Sequence, residues 1–367
     1  MTPTLTIDLC AIARNWQRLC DIAPGAETGA TVKANAYGLG AEPVTQALAE
    51  IGARSFFTAT FAEAVEVATT LRRMSAIGKD WRIIVLNGIG PADLTDLKDW
   101  PEIIPSAGSL PQLHTLAETC PGQPIALQVE TGINRVGLQF NELDAARQYL
   151  DKLSPQLIFN QLACADEPDH PLNARQLEQF RAFHAALPDV PASLCNSAGI
   201  MLGDSYHFDL TRPGCALYGL NPRITPDHAN PFDQVIELTA PLIRIKTIRT
   251  GESVGYSASY TATDGPRRIG TLSLGYADGI QRIFGNQSVS VLVAGHPCPI
   301  IGRVSMDLTT IDLTQHPDGD HLSEGDAVDL LSSDPRIQPD TLGLSGGTIG
   351  YEVLTSLGQR YKRTYLW

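Results

Sequence analysis

Short apolar runs alternate with amphipathic stretches through the first two-thirds of the chain. Leu5–Asp8 is patterned as a strand, and Leu9, Ile12, Trp16 and Leu19 follow at helical spacing to form one apolar face. The pattern then repeats. Strands are expected at Phe56–Thr58, Ile83–Leu86, Ile103–Pro105, Ile125–Val129 and Leu157–Ala163, with Ser193–Leu194 and Leu210–Arg212 ending the run. Between them the spacing predicts helices at 43–52, Ala62–Met74, Pro91–Lys98, Pro111–Glu118, 141–152 and Asn173–Leu187. Strands alternating with helices in this way argue for parallel β/α units. About eight such units in roughly 230 residues is the size of a TIM-type (β/α)8 barrel, with a doubly wound open sheet as the competing fold.

The pattern changes near residue 232. Leu242–Arg249 sets Ile243 and Ile245 against Arg244 and Lys246, a two-residue period. Further strands are expected at Arg268–Leu274, Val289–Val293, Thr309–Leu313 and Ala327–Leu331, separated by turn residues such as Gly251, Gly265, Asn286, Gly295 and Gly325. One helix is expected near the end, at Gly350–Leu357. The reading is therefore α/β followed by mainly β: a barrel domain over 1–231 and a β-rich domain over 232–367. Asn221–Pro231, with three prolines, is the expected linker.

Composition narrows the function classes. A chain of 367 residues is long for one compact domain, in keeping with two. The net charge of −13, with no basic stretch to offset it, argues against nucleic-acid binding. The seven cysteines are scattered, odd in number and never in C-x-x-C spacing, which fits reduced thiols in a cytoplasm and no zinc site. The N-terminus has no basic region leading into an apolar run, so no signal peptide is expected, and no stretch has the length of a membrane span.

The chemistry gathers where β/α barrels place it, at the C-terminal ends of strands. Thr31 and Val32 end an apolar run. Lys33 follows, then Gly38 and Gly40 before a helix starting near Glu42 with Pro43 in its first turn. A lysine held between an apolar strand and a glycine-bearing loop is partly desolvated. That lowers its pKa and makes it an amine nucleophile toward carbonyls. The plainer alternative is a strand-end lysine whose head reaches water. The other strand ends supply Tyr37, Glu130 to Arg135, Gln161, Asn196 and Ser197, and Arg212 to Cys215. One amine, two guanidiniums, small polar groups for an anion and no metal-ligand spacing fit a pyridoxal-phosphate site with an internal Schiff base.

Val-Lys-Ala-Asn-Ala-Tyr-Gly resembles the cofactor-lysine signature of the alanine racemase family. The agreement extends along the chain: Glu130-Thr-Gly-Ile-Asn-Arg-Val-Gly-Leu138, Ala163-Cys-Ala-Asp-Glu-Pro-Asp169, Asn196-Ser-Ala-Gly199, Arg212-Pro-Gly-Cys-Ala-Leu-Tyr-Gly219, Gly255-Tyr-Ser-Ala-Ser-Tyr260, Leu274-Gly-Tyr-Ala-Asp-Gly279, Gly302-Arg-Val-Ser-Met-Asp307 and Thr348-Ile-Gly-Tyr-Glu352. The segments keep the family's order and together are specific. The resemblance implies that Lys33 binds pyridoxal 5′-phosphate and, once freed, is the base on the face that handles the D-amino acid. It implies that Tyr256, supplied by the partner subunit of a homodimer with shared sites, is the base for the L-amino acid. Tyr37, Ser197, Tyr351 and the backbone N–H groups of Gly214 and Cys215, next to Asn196, would bind phosphate. Arg212 would face the pyridine nitrogen, and Arg135 would meet the phenolic oxygen and the substrate carboxylate. Tyr276, Met306 and Asp307 would line the substrate's path. The first eight or so residues would pack with the C-terminal domain.

Three positions depart from the family's common pattern. Gln128 stands where many members carry a carboxylated lysine. Glutamine forms no carbamate, so no bicarbonate dependence is expected, and its amide is expected to hydrogen-bond Arg135. Gln161 replaces a histidine that meets the cofactor ring, and Leu39 replaces a histidine after Tyr-Gly. The expected activity is interconversion of L- and D-alanine by two bases, supplying D-alanine for peptidoglycan. The rivals are a racemase of another small amino acid such as serine, a decarboxylase on the same scaffold, a carrier of the cofactor, and a catalytically silent relative.

Overall fold

The computed structural model describes residues 2–74, 78, 80–223, 229–286 and 288–367. The chain forms two compact units: Ile12–Ala36 with Gly40–Asp233, and Met1–Ala11 with Tyr37–Leu39 and Gln234–Trp367.

In the first unit, seven strands run parallel in sequence order: Ala30–Thr31, Ser55–Thr58, Arg82–Val85, Ile103–Ala107, Pro124–Gln128, Ser154–Phe159 and Ala192–Ser193. An eighth, Leu210–Thr211, pairs in parallel with Glu27–Thr28, one residue ahead of the first strand. Backbone bonds from Asp209 N to Ala192 O (3.0 Å) and from Arg212 N to Cys195 O (2.9 Å) tie this eighth strand to the seventh. The ring is thereby closed, and the barrel expectation holds over the open sheet. The strands are buried on both faces, as parallel strands under helices must be. Phe57, Ile84, Ile104, Ala126, Leu157, Phe159 and Leu210 pack together inside the ring. Their neighbours Ile125, Leu127 and Ile158 point the other way, against Leu113, Leu116, Phe180 and Phe183 of the surrounding helices.

The helices are Leu9–Ile22, Ala41–Glu50, Phe61–Arg73, Leu94–Leu97, Leu110–Thr119, Leu143–Leu150 and Pro171–Ala186, with a single turn at Ser197–Ile200. Thr60 and Glu63 form a capping box at the start of Phe61–Arg73, satisfying two otherwise orphaned amides. The helix expected at Pro91–Lys98 is only the turn Leu94–Leu97. The strand expected at Leu157–Ala163 lies earlier, at Ser154–Phe159. It stops there because the next carbonyl, of Asn160, is taken by the Arg212 guanidinium instead of a neighbouring strand. The middle of the expected linker, 224–228, lies outside the described residues.

The second unit is built on a mainly antiparallel sheet in the order His296–Pro299, Ser290–Val293, Ala327–Leu331, Ile236–Ile248, Thr4–Asp8 and Lys362–Leu366. Arg267–Leu272 also pairs with Ile236–Ile248, and Thr309–Asp312 pairs with Arg267–Leu272. The N-terminal strand Thr4–Asp8 runs antiparallel to Ile236–Ile248 and parallel to the C-terminal strand, Thr4 opposite Thr239 and Lys362. The strand expected from Leu242 begins six residues earlier, at Ile236. Burial alternates through Pro241, which sits at a less buried position, and register shifts at Leu238/Thr239 and Leu242/Arg244 let the strand serve several partners. Two helices, Pro339–Ser345 and Gly350–Thr355, stand where one was expected.

Candidate active site

Lys33 ends the approach of the first barrel strand. The next four residues are not an ordinary loop. Ala34, Asn35, Ala36 and Tyr37 all lie in the left-handed region, with φ of 52°, 54°, 51° and 55°. Asparagine tolerates that conformation; alanine and tyrosine pay about 1–2 kcal/mol each. The turn persists because it is held. Ala36 N donates to Val32 O (2.9 Å), Gly40 N to Asn35 O (2.9 Å), and Ala41 N to Asn35 Oδ1 (2.7 Å). Glu63 Oε1 accepts from Ala34 N at 2.8 Å.

Lys33 is half-buried, and burial is the main cause that pushes its amine below the usual lysine range. Arg135 and Arg212 push in the same direction by repulsion, and the negative Glu63 opposes them. Lys33, Arg135 and Arg212 are thus brought together at one mouth of the barrel, each just past the end of a different strand.

Arg212 is fully enclosed and has no carboxylate partner among the described residues. Its Nη1 donates to Ser193 O (2.8 Å) and Ser193 Oγ (2.5 Å), and its Nη2 to Leu194 O (3.4 Å) and Asn160 O. Burial lowers it to about 10, which still leaves it charged at neutral pH. Nε makes no hydrogen bond among the described residues. A buried cation with one donor unspent suits a ligand nitrogen or oxygen. The network extends outward: Thr131 Oγ1 accepts from Asn160 Nδ2 and from Gln176 Nε2 (3.3 Å), and Gln176 Nε2 donates to Gln161 O (3.1 Å). The Gln161 backbone is therefore pinned.

At the next strand ends, Asn196 caps the turn Ser197–Ile200 by accepting from Gly199 N at 2.8 Å. Ser197 Oγ accepts from Gly214 N (2.9 Å) and Ala216 N (3.2 Å), with Cys215 between them in sequence. Ser197 Oγ thus ties the start of the Cys215–Tyr218 turn to its own helical turn, gathering small polar groups at these strand ends. Lys33, Arg135, Gln161, Asn196, Ser197 and Arg212 include no carboxylate, and this donor set fits an anionic cofactor with a phosphate and a ring nitrogen.

Arg135 projects from an exposed loop. Glu130 closes that loop by accepting from Gly132 N (2.5 Å) and Arg135 N (3.3 Å), and Asn134 sits at φ 54°. Gly137 lets the chain return: a Cβ there would lie 2.5 Å from the Val129 carbonyl carbon. The Gln128 side chain, expected to hydrogen-bond Arg135, makes no such bond. It is buried at the end of its strand, and only its backbone carbonyl reaches the loop, accepting from Leu138 N at 2.9 Å.

The remaining candidates belong to the β-rich unit. Tyr37 and Tyr351 are ring neighbours, with centroids 6.2 Å apart. Leu39 is buried, and its carbonyl accepts from the Tyr365 hydroxyl at 3.0 Å. Tyr256 opens a tight turn between Gly255 at φ 75° and Ser257 at φ 61°, and 71% of its surface is exposed. Tyr276 and Met306 lie on two loops joined by Tyr276 N to Ser305 O and Ala277 N to Met306 O, both 3.0 Å. Asp307 is paired at 2.7 Å with Arg360, which also grips buried Asp278 through two 2.7 Å bonds.

Sequence reasoning missed Glu63, Asn160, Gln176 and Arg360, and gave Thr131 and Asp278 no role of their own. Thr60-Phe-Ala-Glu63 carries a capping-box signal. Nothing local in the sequence points Glu63 at Ala34.

Profiles of the alanine racemase N-terminal domain and C-terminal domain match residues 7–222 and 235–365. Among curated relatives, an alanine racemase of Cereibacter sphaeroides is 44% identical over 366 residues, spanning 99% of this chain and 98% of its own. That of Rhodospirillum rubrum is 42% identical, spanning 99% and 96%. Among solved structures, the alanine racemase of Bartonella henselae with covalently bound pyridoxal phosphate superposes with a TM-score of 0.91 at 34% identity over the whole of both chains. The biosynthetic alanine racemase of Pseudomonas aeruginosa gives 0.87 at 32%, covering 100% of this chain and 99% of that one.

Proposed function

The chain belongs to the alanine racemase family, and on that premise we propose how its own residues carry the interconversion of L- and D-alanine. The protein is an isomerase that uses pyridoxal 5′-phosphate. When bound, that group withdraws electrons from the amino acid's Cα–H bond and acidifies it. The rest falls to the chain. Lys33 anchors the cofactor through its amine and afterwards takes or returns the α-proton on the D-alanine face. Tyr256 does the same on the L-alanine face, so the substrate need not turn over between the two transfers. Ser197, the amides of Gly214 and Cys215, Tyr37, Tyr351 and the Asn196 turn hold the phosphate. Arg212 would meet the ring nitrogen, and because an arginine keeps its own proton it would leave that nitrogen unprotonated. Arg212 would thereby favour prompt return of the proton by Lys33 or Tyr256 over side reactions. Arg135 pairs with the phenolic oxygen and the substrate carboxylate, Gln161 packs against the ring, and Tyr276, Met306 and Asp307 line the way in.

The observation that carries this reading is the setting of Lys33, an amine depressed by burial and flanked by Arg135 and Arg212 at the barrel mouth. A lowered pKa raises the share of neutral amine, the form that is both the nucleophile and the base the reaction needs. The test is proton NMR of L-alanine in deuterated buffer with the holoenzyme, alongside a chiral assay. Loss of the α-proton signal with formation of D-alanine is expected. Cofactor binding without exchange would refute the reading.

The working form is a homodimer in which each β-rich domain, 232–367, serves its partner's barrel. What supports this is exposure: Tyr256 is 71%, Met306 53% and Tyr276 42% exposed, and Ile283, Leu308 and Ile349 are exposed with them. Apolar surface of this kind favours a protein partner. The D-alanine feeds peptidoglycan, and the setting is the cytoplasm, in keeping with seven cysteines in no disulfide among the described residues.

A further inference from the structure

Lys33 sits at the foot of a backbone turn that its own residues disfavour, and one carboxylate reaches it from another element. Glu63 is the third residue of helix Phe61–Arg73. Its Oε2 accepts from Ala59 N (2.7 Å) and Thr60 N (3.2 Å), closing the end of the second barrel strand onto the helix. Its Oε1 accepts from Ala34 N at 2.8 Å. A helix cap needs only the first pair of bonds. The bond to Ala34 spans 29 residues of sequence and lands on the peptide next to Lys33.

We propose that Glu63 is a positioning residue for Lys33, its carboxylate fixing the left-handed turn and so the place where the lysine amine stands. This rests on the assignment of Lys33 as the cofactor lysine. Three charged groups act on that amine: Arg135, Glu63 and Arg212, the two arginines favouring the neutral form and Glu63 the charged form. Glu63 therefore moderates the depression caused by burial. Removing its charge lowers the pKa of Lys33 further, while shortening it to aspartate keeps the charge and loses the reach to Ala34.

The experiment uses the full chain. The holoenzyme is first reduced with borohydride and the labelled lysine mapped by mass spectrometry. A label on another lysine refutes the assignment of Lys33 and overturns the proposal with it. With Lys33 labelled, cofactor-free protein is acylated with a trace amine reagent across a pH series. In Glu63→Gln the midpoint for Lys33 is expected to fall by about half a pH unit, and in Glu63→Asp to stay at the wild-type value. In both variants, deuterium exchange into D-alanine is expected to slow about tenfold more than exchange into L-alanine, because only the Lys33 face is displaced. Thr60→Ala weakens the cap without touching Ala34 and is expected to leave the midpoint and the D-to-L ratio alone. The proposal is overturned if Glu63→Gln and Glu63→Asp keep the wild-type exchange ratio, or if Thr60→Ala reproduces their effects, since Glu63 would then be only a helix cap.

Discussion

The proposed mechanism asks Lys33 and Tyr256 for the same service, proton transfer at one carbon, and their surroundings are opposite. Around Lys33 the barrel unit is finished. The turn after it is held by Glu63, Asn35 and Val32, and the arginine nearby is clasped by the carbonyls of Ser193, Leu194 and Asn160. Around Tyr256 the β-rich unit offers a turn with two positive-φ residues after the tyrosine and a ring that is 71% exposed. The difference teaches that one half of the chemistry is pre-organised within a single chain, and the other is presented to something else. The barrel supplies its own order, and in the proposed homodimer the exposed tyrosine would gain its order on assembly.

The largest effect tests the finished half. Lys33→Ala is expected to cut racemisation by at least about 10³-fold in both directions and to abolish the visible absorbance of lysine-linked cofactor. A chiral assay and a spectrum check this, and retained absorbance would break the comparison at its stronger side. Tyr256→Phe is expected to cost about 10²–10⁴-fold in turnover while leaving that absorbance intact. Exchange from L-alanine should fall further than exchange from D-alanine, and equal losses would remove the distinction between faces. Gly275→Ala sharpens the account of the exposed half. A Cβ there would sit 2.2 Å from Ser305 O and 2.5 Å from Met306 O, forcing apart the loops of Tyr276 and Met306. KM for alanine should rise roughly tenfold with cofactor binding unchanged, measured by steady-state kinetics and cofactor titration. The smallest effect is a gain: Ala34→Gly should relieve the left-handed strain and raise stability by about 1 kcal/mol, read as a later urea midpoint.

Much of the fold was legible because its signals are local. Apolar runs such as Ile83–Leu86 and amphipathic stretches such as Asn173–Leu187 carry their own periods, and the strands and helices lie at or near those positions. The family segments made Lys33, Arg135 and Arg212 legible as a group. What stayed hidden depends on distant partners. Lys-Ala-Asn-Ala-Tyr contains no glycine, so local propensity argues against the left-handed turn that long-range bonds impose. His296–Pro299 carries two prolines and reads as a turn, yet it pairs with Ser290–Val293 at a sheet edge, where missing donors cost little. Glu63, Asn160 and Arg360 look like ordinary surface or loop residues until the chain brings their partners to them.

The placement of Thr4–Asp8 between Ile236–Ile248 and Lys362–Leu366 has a consequence for synthesis. The earliest described strand pairs with one made more than 200 residues later and with another made more than 350 residues later. During the intervening tens of seconds, at roughly 5–20 residues per second, the barrel sequence emerges whole and can fold while this strand waits unpaired. The β-rich sheet is sealed only once Lys362–Leu366 has been made and released. A nascent chain stalled before Lys362 would therefore carry a folded barrel and an open sheet edge, the kind of intermediate that chaperones capture.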